Sequence, residues 1–131
     1  MDDAVLQRVG AEIGAEPGLQ VALVFGSFAR GQAAPHSDID VAVSGSVDVL
    51  ALAGRLTIAL GREVDVVRIE NATIPLVESI VRDGIVVFER TRGAAAILRA
   101  RLLSSLETDR PWYARMQKAW LSHVATRGIL G

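Results

Sequence analysis

Leu19-Gln20-Val21-Ala22-Leu23-Val24-Phe25 runs straight into Gly26-Ser27-Phe28-Ala29-Arg30-Gly31 and, six residues later, into Asp38-Ile39-Asp40-Val41-Ala42-Val43. The first seven residues are almost continuously apolar and of strand length, which predicts a strand in the middle of a sheet, covered on both faces. Residues 26–37 are polar and contain glycine and proline, so they read as a loop. Residues 38–43 read as a second strand that opens on two aspartates.

Upstream, Val5, Val9 and Ile13 recur at four-residue spacing and predict a helix over 2–15, with Asp2 and Asp3 at the positive end of its dipole. Gly10, Gly14 and Gly18 also fall four apart, but Glu12 and Glu16 between them argue against a membrane dimer helix. Pro17-Gly18 closes the element. Downstream, Ser46 is the expected cap of a helix over 47–60, with Leu52, Leu56 and Leu60 on one face and Gly61 as terminator. A strand over 63–69 follows. Thr73 and Pro75 open the next helix, which Asp83-Gly84 closes before a short strand over 85–89. Two helices are expected to complete the chain, over 93–107 and over 111–126 from Pro111. The pattern is α/β: a small mixed β-sheet flanked by helices. Residues 1–131 make one domain, with 91–131 as a C-terminal helical extension.

Composition narrows the functions available. Half of the residues are hydrophobic and 22% are charged, enough for a core. The net charge is −1, which gives no general field for nucleic acid or an anionic membrane, so phosphate recognition must be local. Cysteine is absent, and with it disulfides, thiol nucleophiles and Cys-ligated zinc. The acidic start and the lack of a long apolar run lead us to expect a cytoplasmic protein that neither enters a membrane nor binds nucleic acid directly.

The chemistry is concentrated between Gly26 and Asp65. Asp38 and Asp40 lie two apart on a strand, on one face and about 6.5 Å apart along it. Like charges so placed repel, and the pair is tolerable in water or around a hard cation with oxygen ligands, Mg²⁺ being the commonest. Asp65 interrupts Val64-Asp65-Val66-Val67, which otherwise reads as an interior strand, where a charge needs a partner or a metal. If that strand lies beside the second, three carboxylates converge on a site for one or two divalent ions. Gly26-Ser27 directly follows a buried strand. There the glycine lets backbone N–H groups approach an anion, and Ser27 adds a hydroxyl donor. Arg30 adds a permanently charged fork suited to phosphate oxygens. Neither the P-loop nor the dinucleotide glycine pattern is present.

Gly26-Ser27, ten intervening residues, then Asp38-Ile39-Asp40 resembles the G-S-x₁₀-D-x-D signature of the DNA polymerase β-like nucleotidyltransferases. The longer string, with Arg30, Gly31 and Ser37, resembles their smallest branch, the minimal nucleotidyltransferases of the MntA antitoxin type. The resemblance spans roughly residues 19–90. It implies the polymerase β-like nucleotidyltransferase fold and metal binding by Asp38, Asp40 and Asp65, with Mg²⁺ or Mn²⁺ as the metal. Gly26, Ser27, Arg30 and Ser37 would hold the nucleotide. It further implies ATP as substrate and, as partner, a helical HEPN-family toxin silenced by AMP attached to a tyrosine hydroxyl. A small-molecule nucleotidyltransferase, for instance one acting on an aminoglycoside, and a non-catalytic antitoxin acting by contact remain alternatives. Trp112, Met116 and Trp120 repeat at four-residue spacing, a stripe that is either core or a docking face.

Overall fold

The structure, a computed structural model, describes residues 3–32 and 38–127. In order these form α1 (Asp3–Ile13), β1 (Leu19–Phe25), a one-turn α2 (Gly26–Ala29), β2 (Ile39–Gly45), α3 (Val49–Leu60), β3 (Val64–Arg68), a 3₁₀ turn (Ile69–Asn71), α4 (Ile74–Asp83), β4 (Ile85–Glu89) and α5 (Ala94–Arg127). The sheet order is β3-β2-β1-β4. β1 pairs antiparallel with both β2 and β4, while β2 and β3 are parallel. The mixed sheet follows from the connections, because a parallel pair needs a long crossover and α3 supplies it.

β1 lies in the interior as its composition requires, buried at every position but Gln20. Alternate residues of the strands feed two cores. Ala22, Val24, Ile39, Val41, Val43 and Val64 pack with Val9 and Ile13 of α1 and with Leu52 and Leu56 of α3. Val21, Leu23, Phe25 and Ala42 pack with Ile80 of α4 and with Ala94, Leu98 and Leu102 of α5. Burying a side chain of this size contributes roughly 1.5–3 kcal/mol, so these two layers hold the sheet rigid.

Two local readings change. Asp48, not Ser46, caps α3: its carboxylate accepts the Ala51 N–H at 3.1 Å. Val47 is drawn into the core and the Ser46 N–H is bonded to the Gly18 carbonyl, so the helix can begin only after them. The C-terminal segment is one helix of 34 residues rather than two. Pro111 forfeits one backbone bond at a cost of about 3 kcal/mol, a local penalty set within a helix of 34 residues. Gly10 of α1 serves packing within the chain. A Cβ on Gly10 would lie 2.4 Å from the Val87 carbonyl oxygen, so only glycine lets α1 settle directly on β4. Among the described residues no helix is long and apolar enough to cross a membrane.

This contact separates two substitutions of the same kind. Gly10→Ala should destabilise the protein by about 2 kcal/mol, because the added carbon meets backbone that cannot yield. Gly54→Ala in α3, where nothing lies within 4 Å, should stabilise by roughly 0.5–1 kcal/mol. Urea unfolding of the two variants measures both signs.

Candidate active site

The parallel pairing of β2 and β3 sets Ile39 against Val64 and Asp40 against Asp65. Adjacent strands run about 4.8 Å apart, so Asp40 and Asp65 are nearest neighbours across the sheet. Asp40 shares its face with Ala42 and Asp65 shares its face with Val67, the side covered by α4 and α5. Asp38 precedes β2 and is exposed. The side chains of the described residues thus bring the two carboxylates of the D-x-D pattern and that of Asp65 to one end of the sheet. One expectation needs correction: β3 is an edge strand, and Asp65 is exposed rather than interior. Its apolar neighbours reflect cover on one side only. The carboxylate that meets the cost of burial is Asp40.

Gly26 explains why. It follows Phe25, the cross-strand partner of Asp40, and its φ of +76° is a conformation that side chains rarely adopt. A Cβ there would stand 2.6 Å from Asp40 Oδ2. The Gly26 backbone therefore lies against the carboxylate. Burial raises the Asp40 pKa above its ordinary 3.8, and the charges of Asp65 and then Asp38 push it the same way. Concentrated negative charge without a counter-charge is what a divalent cation relieves. All-oxygen donors fit a hard ion such as Mg²⁺. Among the described residues no three carboxylates or imidazoles close into a complete cation cage. Mg²⁺ characteristically retains waters and phosphate oxygens, and one or two carboxylates suffice to anchor it.

Ser27 is half-buried in the one-turn α2, and its carbonyl accepts the Gln32 N–H at 2.9 Å. Phe28 anchors that turn in the α1/α3 core, with the Arg62 guanidinium 5.0 Å from its ring centre. Arg30 leaves the turn toward α4: Nη1 donates to Asp83 Oδ2 at 2.7 Å and Nε to Gln32 Oε1 at 3.2 Å. Ser37 lies outside the described residues. Phe28 and Arg62 are absent from the sequence-derived set. An apolar residue directly after Gly-Ser is a readable anchor signal, whereas nothing local marks Arg62.

The sequence profile described as polymerase beta, nucleotidyltransferase matches residues 11–93. The chain belongs to this nucleotidyltransferase family. The match spans β1 through β4 and so includes Asp38, Asp40 and Asp65. No curated protein matches the sequence. Among solved structures, a minimal nucleotidyltransferase described as putative is 31% identical, with a TM-score of 0.54 over 63% of this chain and 92% of its own. A variant of the MntA–HpeT toxin–antitoxin contains a chain 25% identical, with a TM-score of 0.67 over 92% of this chain and 98% of that one. A third likeness in fold is to the tri-AMPylated HEPN toxin of Shewanella oneidensis in complex with MNT antitoxin, at 22% identity and a TM-score of 0.69 over 92% and 99%.

The crowding around Asp40 has a measurable consequence for this nucleotidyltransferase. The folded state binds the Asp40 proton more tightly than the unfolded chain does, so stability falls as pH rises from about 3.8 through the raised value. At neutral pH the ionised group remains a net cost. Asp40→Asn should therefore stabilise the metal-free protein at pH 7 by roughly 0.5 kcal/mol, after allowance for solvent screening. The gain should shrink as pH is lowered toward 3.8. Thermal melts in a chelator across that range test the sign; a less stable Asn variant at pH 7 would contradict it.

Proposed function

We propose that this chain transfers AMP from ATP to a tyrosine hydroxyl of a HEPN-type toxin, and so acts as an antitoxin in the cytoplasm, where ATP is available. The observation that carries the reading is the in-register pair Asp40 and Asp65 beneath the Gly26 turn, in a chain of the nucleotidyltransferase family. The protein acceptor is supported by two of the solved neighbours, which are toxin–antitoxin assemblies, one with an AMPylated toxin.

Each residue then has a task. Asp38, Asp40 and Asp65 would hold one or two Mg²⁺ ions. When bound, such ions neutralise charge on the α-phosphate and the leaving pyrophosphate. The Gly26 backbone, the Ser27 hydroxyl and the Arg30 guanidinium bind the β- and γ-phosphates, and Ser37 of the same sequence motif is assigned to the nucleotide too. Binding them aligns the α-phosphorus with the acceptor. Asp65, exposed on its edge strand, accepts the acceptor proton as the new O–P bond forms. The bond from the α-phosphorus to the pyrophosphate oxygen breaks, and pyrophosphate leaves. Exposure of Asp38 and Asp65 suits an acceptor carried on another protein's surface. The Trp112, Met116 and Trp120 stripe falls within α5, and those side chains lie outside the described ones.

The test is transfer from α-labelled ATP in Mg²⁺ to a purified HEPN-type toxin, followed by intact mass. Additions of whole AMP units to the toxin are expected, lost on Tyr→Phe substitution at the modified site. Asp38→Asn with Asp40→Asn should slow transfer by about three orders of magnitude while leaving the fold intact. Transfer to an aminoglycoside with no adduct on the toxin would overturn the protein-acceptor reading.

A further inference from the structure

We infer that Asp83, the last residue of α4, is a positioning residue for nucleotide: it holds the Arg30 guanidinium in place beside the Gly26-Ser27 turn, ready for phosphate. The inference rests on the reading of Arg30 as a phosphate donor given above. Asp83 is badly placed for the stability of its own helix, since a carboxylate in the last turn faces the negative end of the dipole. Its side chain is nevertheless only 6% exposed, whereas that of Arg30 is 37% exposed. A nearly buried carboxylate at that position needs partners, and it has two. Arg30 Nη1 donates to Oδ2 at 2.7 Å, and Arg82 donates from Nε to Oδ1 and from Nη2 to Oδ2, each at 3.1 Å. The bond from Arg82, with that from Arg30, holds the Asp83 carboxyl below its ordinary range, so it stays ionised.

The two guanidiniums differ in what they can reach. Arg82 neighbours Asp83 on the same helix. Arg30 comes from 53 residues away and closes the turn that begins at Gly26, its N–H bonded to the Gly26 carbonyl at 3.1 Å. The sheet brings them together: Val24 of β1 pairs with Ile85 of β4, so Asp83, two residues before Ile85, arrives at the sheet end where Gly26 leaves β1. The contact therefore ties the start of β4 to the nucleotide turn. A long, flexible cation becomes a fixed one, and its rotamer entropy is lost on folding rather than on binding.

The test compares Asp83→Ala and Asp83→Asn with wild type by calorimetric titration of a non-hydrolysable ATP analogue with Mg²⁺, alongside transfer kinetics. Asp83→Ala should weaken analogue binding about tenfold and raise KM for ATP in parallel, with kcat at saturation within about twofold. Asp83→Asn, which keeps an acceptor but not the charge, should fall between. In an Arg30→Gln background, Asp83→Ala should bring no further loss. Unchanged affinity in Asp83→Ala, or an undiminished extra loss without Arg30, would overturn the positioning role. If Asp83→Ala does not fold, wild-type affinity in Asp83→Asn overturns it. A wild type that binds no analogue would instead remove the nucleotide reading and this role with it.

Discussion

The parallel register of β2 with β3, which opposes Asp40 to Asp65, is the constraint around which the rest of the molecule is arranged. Two like charges on neighbouring strands work against folding, and burial of one of them under Gly26 adds to the cost. The protein tolerates this because the two apolar layers on either side of the sheet are continuous and well filled. The strand ends are thereby fixed, and a rigid framework can present a destabilising cluster without relaxing it. Stability is given up at this point, as the proposed role in holding a cation would require.

The turn after β1 is the second half of the same design. Glycine at position 26 allows backbone to approach the carboxylate, Phe28 pins the turn into the core, and Arg30 is caught by Asp83. Each fixes a different degree of freedom. Together they set the turn on one strand end against the carboxylates on the next, the placement that the proposed binding of a nucleoside triphosphate with its metal would use. The family relationship gives this arrangement its reaction class, and Asp65 is exposed on its edge strand.

Much of this is legible in the sequence for identifiable reasons. The seven residues of β1 betray a central strand because burial on both faces needs an unbroken apolar run. Residues 85–89 were legible because Gly84 marks their start. The D-x-D pair and the Gly-Ser turn are local, so their spacing carries the signal. Long-range relations do not show. Val64-Asp65-Val66-Val67 looks interior by composition, yet β3 is an edge, and sheet order cannot be read from one strand's residues. Asp83 reads as a helix stop, and only the fold brings it to Arg30. Pro111 reads as a helix start because its missing N–H is tolerated in a first turn, yet α5 runs through it.

The most direct measurement of the central claim is anomalous diffraction from crystals grown with Mn²⁺ and a non-hydrolysable ATP analogue. A strong anomalous peak is expected at coordination distance, about 2.2 Å, from a carboxylate oxygen of Asp40 and shared with Asp38 or Asp65, with the analogue's phosphates running toward Gly26 and Ser27. Manganese bound elsewhere, with Asp38, Asp40 and Asp65 left to water, would contradict it.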